Sequence, residues 1–309
     1  MTAMRRTVVA LCCAALAALS GSVPAAASAA GTGSGVFPSL ARDLMAYYDF
    51  EHPAGAVERD HGRSGTDISL LNGAGRVRDG FRHSLQTGQV GTVAGNDDRK
   101  AGVYSPTGVP SLGAFAGARE ATVMGWFKTT GVNPSLNTNT ANPTDLYNAV
   151  GLAGVLTGDS DGHAVRALLE VINVDGELKV VALGRRVDGG ASQTFAASAD
   201  WQTVLPPGEW VFLAATFDFD TGAMALYRNG RALDGFYTVT GDPWLLAGEP
   251  EPDVTSTTDP RGIKIGGSFP QNTGEQNPCN CRMDELMFLD RAVSPTEVWL
   301  QYRWTRARG

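Results

Sequence analysis

The carboxylates that could carry hydrolytic chemistry in this sequence gather at Glu170, Asp175 and Glu177. Cleaving a glycosidic bond takes two carboxyl groups flanking it, about 5–10 Å apart depending on the stereochemical outcome. Glu170 and Asp175 are an odd number of residues apart, so a regular strand points them to opposite faces. Asp175-Gly176 reads more simply as a reversal between two strands. His52, His61, His83 and His163 stand at no informative spacing from a nucleophile, and the chain has no Gly-x-Ser-x-Gly elbow. The stretch from Gly158 to Gly162 begins like a calcium loop with Asp159 and Asp161. It lacks the third oxygen residue, the glycine at the sixth place and the closing glutamate, and so reads as a turn.

Binding chemistry has more material. Glycan recognition uses flat aromatic faces for the sugar C–H surface and fixed polar groups for the hydroxyls. Tyr147, Trp201 and Trp244 lie in or beside loops, and Asn133, Asn137, Asn139 and Asn142 share one long loop. Two irregular stretches, 131–148 and 240–262, are therefore the expected ligand edge, because function concentrates on loops held by a rigid scaffold. Trp126, Trp210 and Trp299 fall in strongly patterned elements and are expected in the core.

Arg5 and Arg6 precede an apolar run from Val8 to Leu19, with small residues at 25–29. This is the pattern of a secretory signal peptide over residues 1–30, by the Sec route, and residues 31–40 read as a flexible leader. Losing the leader removes two arginines and makes the formal charge of −7 more negative still. An acidic exported chain lacks the basic footprint that nucleic acid or an anionic membrane requires. No later run is long and apolar enough to span a bilayer. Cys12 and Cys13 leave with the leader, so Cys279 and Cys281 remain. An extended Cys-x-Cys holds its α-carbons near the upper limit of disulfide geometry, but Pro278 and Asn280 allow the bend that a bridge needs. A Cys279–Cys281 disulfide is expected, with free thiols or a bridge between chains as alternatives. Zinc has little support without a histidine pair.

The elements that must position these groups are short strands. Residues 210–217 form an apolar run on both alternating faces, which places it inside a sheet. A second run, 223–228, ends at Asn229-Gly230, a pair suited to a tight reversal. Further strands are expected at 44–51, 120–128, 164–173, 177–183, 193–198, 262–267 and 282–289. Ser294, Pro295 and Glu297 set up one helix with a capping box. Many strands without alternation of strand and helix predict an all-β, antiparallel two-sheet sandwich with a short C-terminal helix, spanning residues 41–305 as one domain.

Three blocks together resemble the laminin-G-like, concanavalin A-like lectin/glucanase family. Trp210, Gly222, Tyr227, Asn229 and Gly230 match its strand–turn–strand signature. Met283, Asp284, Glu285, Ser294 and Glu297 match its closing strand and helix start. Residues 46–51, with Asp60 in the following turn and Gly80 before an aromatic, match its first strand. The resemblance implies a jelly-roll and a non-catalytic module that binds glycan or a cell-surface protein. It also implies one structural Ca²⁺ held by Asp284, with Asp60 and Asp49 as partners. The alternative it leaves open is a polysaccharide-active hydrolase or lyase on the same fold. In such hydrolases the acids alternate along one concave strand, a motif that residues 170–177 do not reproduce.

Overall fold

The computed structural model describes residues 35–52, 55–79, 82–88, 99–133, 150–156, 165–185, 192–239, 260–267 and 279–306. In chain order the strands begin with β1 (Leu44–Tyr48), β2 (Val57–Glu58), β3 (Ile68–Leu70), β4 (Gly75–Asp79), β5 (Arg82–Gln86) and β6 (Ala101–Tyr104). They continue with β7 (Glu120–Thr129), β8 (Val150–Leu156), β9 (Val165–Val174), β10 (Glu177–Arg185) and β11 (Ser192–Ala197). After the one-turn helix α1 (Trp201–Val204) come β12 (Val211–Asp218), β13 (Met224–Arg228), β14 (Arg231–Ala232), β15 (Gly235–Tyr237), β16 (Gly262–Ile265) and β17 (Cys281–Leu289). The helix α2 (Pro295–Arg306) closes the described chain.

Two antiparallel sheets form a jelly-roll-type sandwich. One has eight strands in the order β14-β13-β12-β7-β17-β5-β4, with β1 also paired to β17. The other has nine, ordered β15-β11-β10-β9-β8-β16-β6-β3-β2. Between them lies the main core, in which Val123, Phe127 and Leu213 of the first sheet meet Leu169, Val180 and Ile263 of the second. The outer face of the eight-stranded sheet is apolar too: Met124, Phe212, Ala214 and Met287 lie there under Val298 of α2. This is why residues 211–217 are apolar at nearly every position. Val211, Leu213, Ala215 and Phe217 face the main core while Phe212 and Ala214 face the helix.

The helix starts as the capping box requires. Glu297 N donates to Ser294 Oγ at 3.3 Å, and Ser294 N donates to Glu297 Oε2 at 2.9 Å. Asn229 and Gly230 take positive φ, 50° and 78°, to turn β13 into β14. A Cβ on Gly230 would sit 3.0 Å from the Trp299 Cα, so the reversal also lets α2 approach. Two expectations change here. Trp299 faces outward and is 46% exposed, because α2 packs through Val298, Gln301 and Thr305 instead. The expected flexible leader is anchored from residue 35 onward, since Val36 and Leu40 are buried with Val298 and Phe37 N donates to Gln301 Oε1 at 2.7 Å.

Candidate functional site

The acids of β17 are placed by a bulge. The register of β17 against β7 shifts between Asp284 and Met287, and Glu285 adopts φ 52°. Opposite it, a Cβ on Gly125 would press on the backbone oxygens of Asp284 and Glu285 at 3.1 and 3.2 Å, so glycine suits the bulge there. Glu285 is buried, bonded by the Tyr47 hydroxyl and paired with Arg82 at 2.5 Å. Burial pushes its carboxyl up, opposed by the Arg82 charge, and burial together with Glu285 pushes Asp284 well above its ordinary range. Asp60 has a different occupation. Its two oxygens accept from Tyr47 N (2.8 Å), Gly62 N (2.6 Å), Ser64 Oγ (2.6 Å) and Thr66 N (2.9 Å). Four donors fill the lone-pair sites of a carboxylate, so Asp60 fixes the loop after β1 and has no oxygen left for a cation. Asp49 lies 3.5 Å from His61 Nε2. Among the described residues no three His, Cys, Asp or Glu side chains are arranged to hold a metal ion. Asp60 as placed therefore does not fit a calcium cage. EDTA is expected to leave the melting temperature unchanged in calorimetry, and a fall of several degrees would contradict this.

Glu170 lies on the outer face of the nine-stranded sheet. Its neighbours Leu169 and Val171 face the main core, so the strand alternation turns Glu170 away from it. It stands beside Gly151 of β8 and Val181 of β10. Lys264 of β16, itself buried, stands between Gly154 and Gly102. Glu170 is 3% exposed and its Oε2 has no hydrogen-bond partner. Burial raises its carboxyl to about 8, moderated by the Lys264 charge. A hydrolase needs a second carboxylate facing it, and Asp175 does not supply one. Asp175 sits in the β9–β10 turn at φ 53°, as the Asp-Gly pair predicts.

The described surface has a shallow groove of about 560 Å³ where the 131–148 loop leaves β7. It is lined by Lys128, Thr129, Thr130, Gly131, Pro207, Gly208 and Arg282. Lys128 and Arg282 are a directly opposed cross-strand pair, and so carry like charge face to face. One oxygen holds them together. Asp79 Oδ2 lies 3.1 Å from Lys128 Nζ and 3.0 Å from Arg282 Nη1, and accepts from Trp210 Nε1 at 3.0 Å. Burial works to raise the Asp79 carboxyl, but the bonds from Arg282 and Lys128 outweigh it and hold it below its ordinary value. Arg282 Nε also donates to Gln86 Oε1 at 2.9 Å.

The groove wall is stapled by the cysteine loop. Cys279 and Cys281 are at disulfide distance, with α-carbons 5.2 Å apart. Asn280 between them accepts from Thr130 N at 2.8 Å, while its own N–H donates to Asn133 Oδ1 at 2.9 Å. A ring this small removes little loop entropy, so replacing both cysteines with serine is expected to cost about 2 kcal/mol in urea unfolding. No change in midpoint would show that the bridge contributes nothing to the wall.

Of the residues expected to bind ligand, Tyr147, Trp244 and Asn139 lie outside the described residues, as do residues 1–34 and the 158–162 turn. Trp201 is corrected: it opens α1, is 6% exposed and packs in the main core, so it offers no face to a ligand. Trp210, expected in the core, is half-buried beside the groove with Lys128 Nζ over its ring at 5.3 Å. Lys128, Arg282 and Asp79 were missed by motif reading. Their signal is a cation at the end of an apolar strand (Lys128) and another at the start of one (Arg282), both next to polar loops.

A laminin G family model, described as the concanavalin A-like lectin/glucanases superfamily, matches residues 101–299. No curated protein matches the chain. Among solved structures, the chain is similar to the receptor-binding domain of botulinum neurotoxin type G at 11% identity and TM-score 0.50, covering 84% of this chain and 51% of that one. The binding domain of paraclostridial mosquitocidal protein 1 is similar at 14% identity and TM-score 0.51, covering 85% and 52%. A Trypanosoma rangeli sialidase in complex with sialic acid is similar at 14% identity and TM-score 0.50, covering 84% and 33%. The chain thus spans a third to a half of these proteins, and at such identities the likeness shows the fold alone.

Proposed function

Because the chain belongs to the concanavalin A-like lectin/glucanases superfamily, we propose that it is a non-catalytic recognition module acting outside the cell and binding carbohydrate in the groove beside β7 and β17. The observation that carries this reading is the groove itself, with fixed polar and charged side chains held by the Asp79 and Asn280 networks. A volume of about 560 Å³ falls within the range of about 300–1,000 Å³ usual for small-ligand sites. A protein partner would need roughly 800 Å² of surface on each side, which the groove alone does not provide. Two of the three structures named above are binding domains, which agrees with the proposal without specifying a ligand. Export follows from the leader pattern and is consistent with the cysteine bridge.

A glycan array read alongside a reducing-sugar assay tests the proposal. Binding without sugar release is expected, weakened about 10–100-fold by Arg282→Ala, the usual loss when a charge-assisted hydrogen bond is removed. Sugar release that Glu170→Gln abolishes would instead favour a hydrolase working on the nine-stranded sheet.

A further inference from the structure

Resting on the carbohydrate reading above, we infer that the groove selects anionic glycans, with the ligand's carboxylate or sulfate seated between Lys128 and Arg282.

The side chains argue for charge over stacking. None of the seven described lining residues is aromatic. The indole of Trp210, beside the groove, has Lys128 over one face and spends its N–H on Asp79. A neutral sugar would find no flat platform among the described lining, and stacking is the usual source of affinity for sugar rings. Cations are what the groove does offer. Lys128 and Arg282 are both about three-quarters or more covered, and one carboxylate oxygen serves the pair. Asp79 Oδ2 already receives three donors, so it neutralises each cation only in part. Like charges directly opposed across strands destabilise a sheet, and an anion between them would relieve that repulsion. Arg282 is oriented in advance, because its Nε is fixed by Gln86 and its Nη1 by Asp79, which sets the guanidinium plane before a ligand arrives. The chain as a whole points the other way, with a formal charge of −7. General attraction of polyanions is therefore not expected, and selectivity must come from this local pair.

The test uses the full-length protein on an array pairing uronate-containing, sialylated and sulfated oligosaccharides with their neutral parents, and including an oligoglutamate peptide. Acidic glycans are expected to bind at least tenfold tighter than their parents, more weakly at 1 M than at 0.1 M salt, because screening shortens from about 10 Å to 3 Å. Lys128→Gln combined with Arg282→Gln should erase the preference, while Arg282→Lys, which keeps the charge and loses the planar fork, should retain part of it. Should the double variant fail to fold, the salt series and Arg282→Lys still decide the matter. Equal binding of acidic and neutral partners would overturn the inference and leave the carbohydrate reading standing. Absence of all glycan binding would overturn both, and oligoglutamate binding as tightly as the acidic glycans would replace sugar recognition with simple polyanion capture.

Discussion

Arg76→Ala is expected to lower the free energy of unfolding by about 3–5 kcal/mol, the usual loss when one partner of a buried ion pair is removed. Arg76 on β4 joins the eight-stranded sheet to β2 at the end of the nine-stranded one. Its Nε donates to Glu58 Oε2 at 2.7 Å, and its two terminal nitrogens donate to Gly55 O at 2.8 Å and Val57 O at 2.6 Å. Glu58 is fully buried and burial raises its carboxyl against the pull of Arg76, so the alanine variant would strand a carboxylate in the interior. Urea unfolding at pH 7 measures this. A second variant separates pairing from packing: Glu58→Leu with Arg76→Met removes both charges and should recover most of the loss. A single-site loss under about 1 kcal/mol, the scale of an exposed pair, would mean that the two sheets do not depend on this contact.

Glu170→Gln is expected to stabilise the protein at high pH and to do little in acid. The Glu170 carboxyl is raised from 4.5 to about 8 in the folded chain. Below about pH 4.5 both folded and unfolded chains carry the proton, and the stabilising contribution is fully present. Between about pH 4.5 and 8 the unfolded chain has released its proton while the folded chain keeps it, so stability falls by roughly 1.4 kcal/mol per unit. Above about 8 the penalty levels off, at a total on the order of 3–5 kcal/mol. Glutamine carries no charge to bury. Melting curves of the two proteins should nearly coincide at about pH 5, and at about pH 9 the variant should melt several degrees higher. Parallel curves at both values would place Glu170 in contact with water or a partner that satisfies it.

Local patterns in the chain made the sandwich legible, because the strands that build it are long and apolar. Residues 120–128, 210–217 and 282–289 carry period-two or continuous apolar runs, and these became β7, β12 and β17. Asp175-Gly176 and Asn229-Gly230 turn where their positive φ allows. The pairing order of the strands was out of reach, since it depends on which apolar faces meet across the sandwich. Membership of a patterned element misled for Trp299: a C-terminal helix lying on a sheet buries only one stripe, and Val298, Gln301 and Thr305 occupy it. The site was less legible than the fold. Asp60 stood out as an acid in a turn, but only the folded chain brings four donors onto it. Lys128, Arg282 and Asp79 lie on three strands far apart in sequence, and no spacing rule brings them together.

Entry of ligand into the Lys128–Arg282 groove is reported directly by the indole N–H resonances of the six tryptophans. Trp210 Nε1 donates to the same Asp79 oxygen that holds both cations, so displacement of either cation by a ligand changes that hydrogen bond. Titration with the tightest-binding acidic oligosaccharide is expected to shift the Trp210 indole signal saturably, to leave buried Trp201 unmoved, and to lose the effect in Arg282→Gln. Saturable shifts at Trp299 or elsewhere, with Trp210 unchanged, would contradict the groove as the binding site.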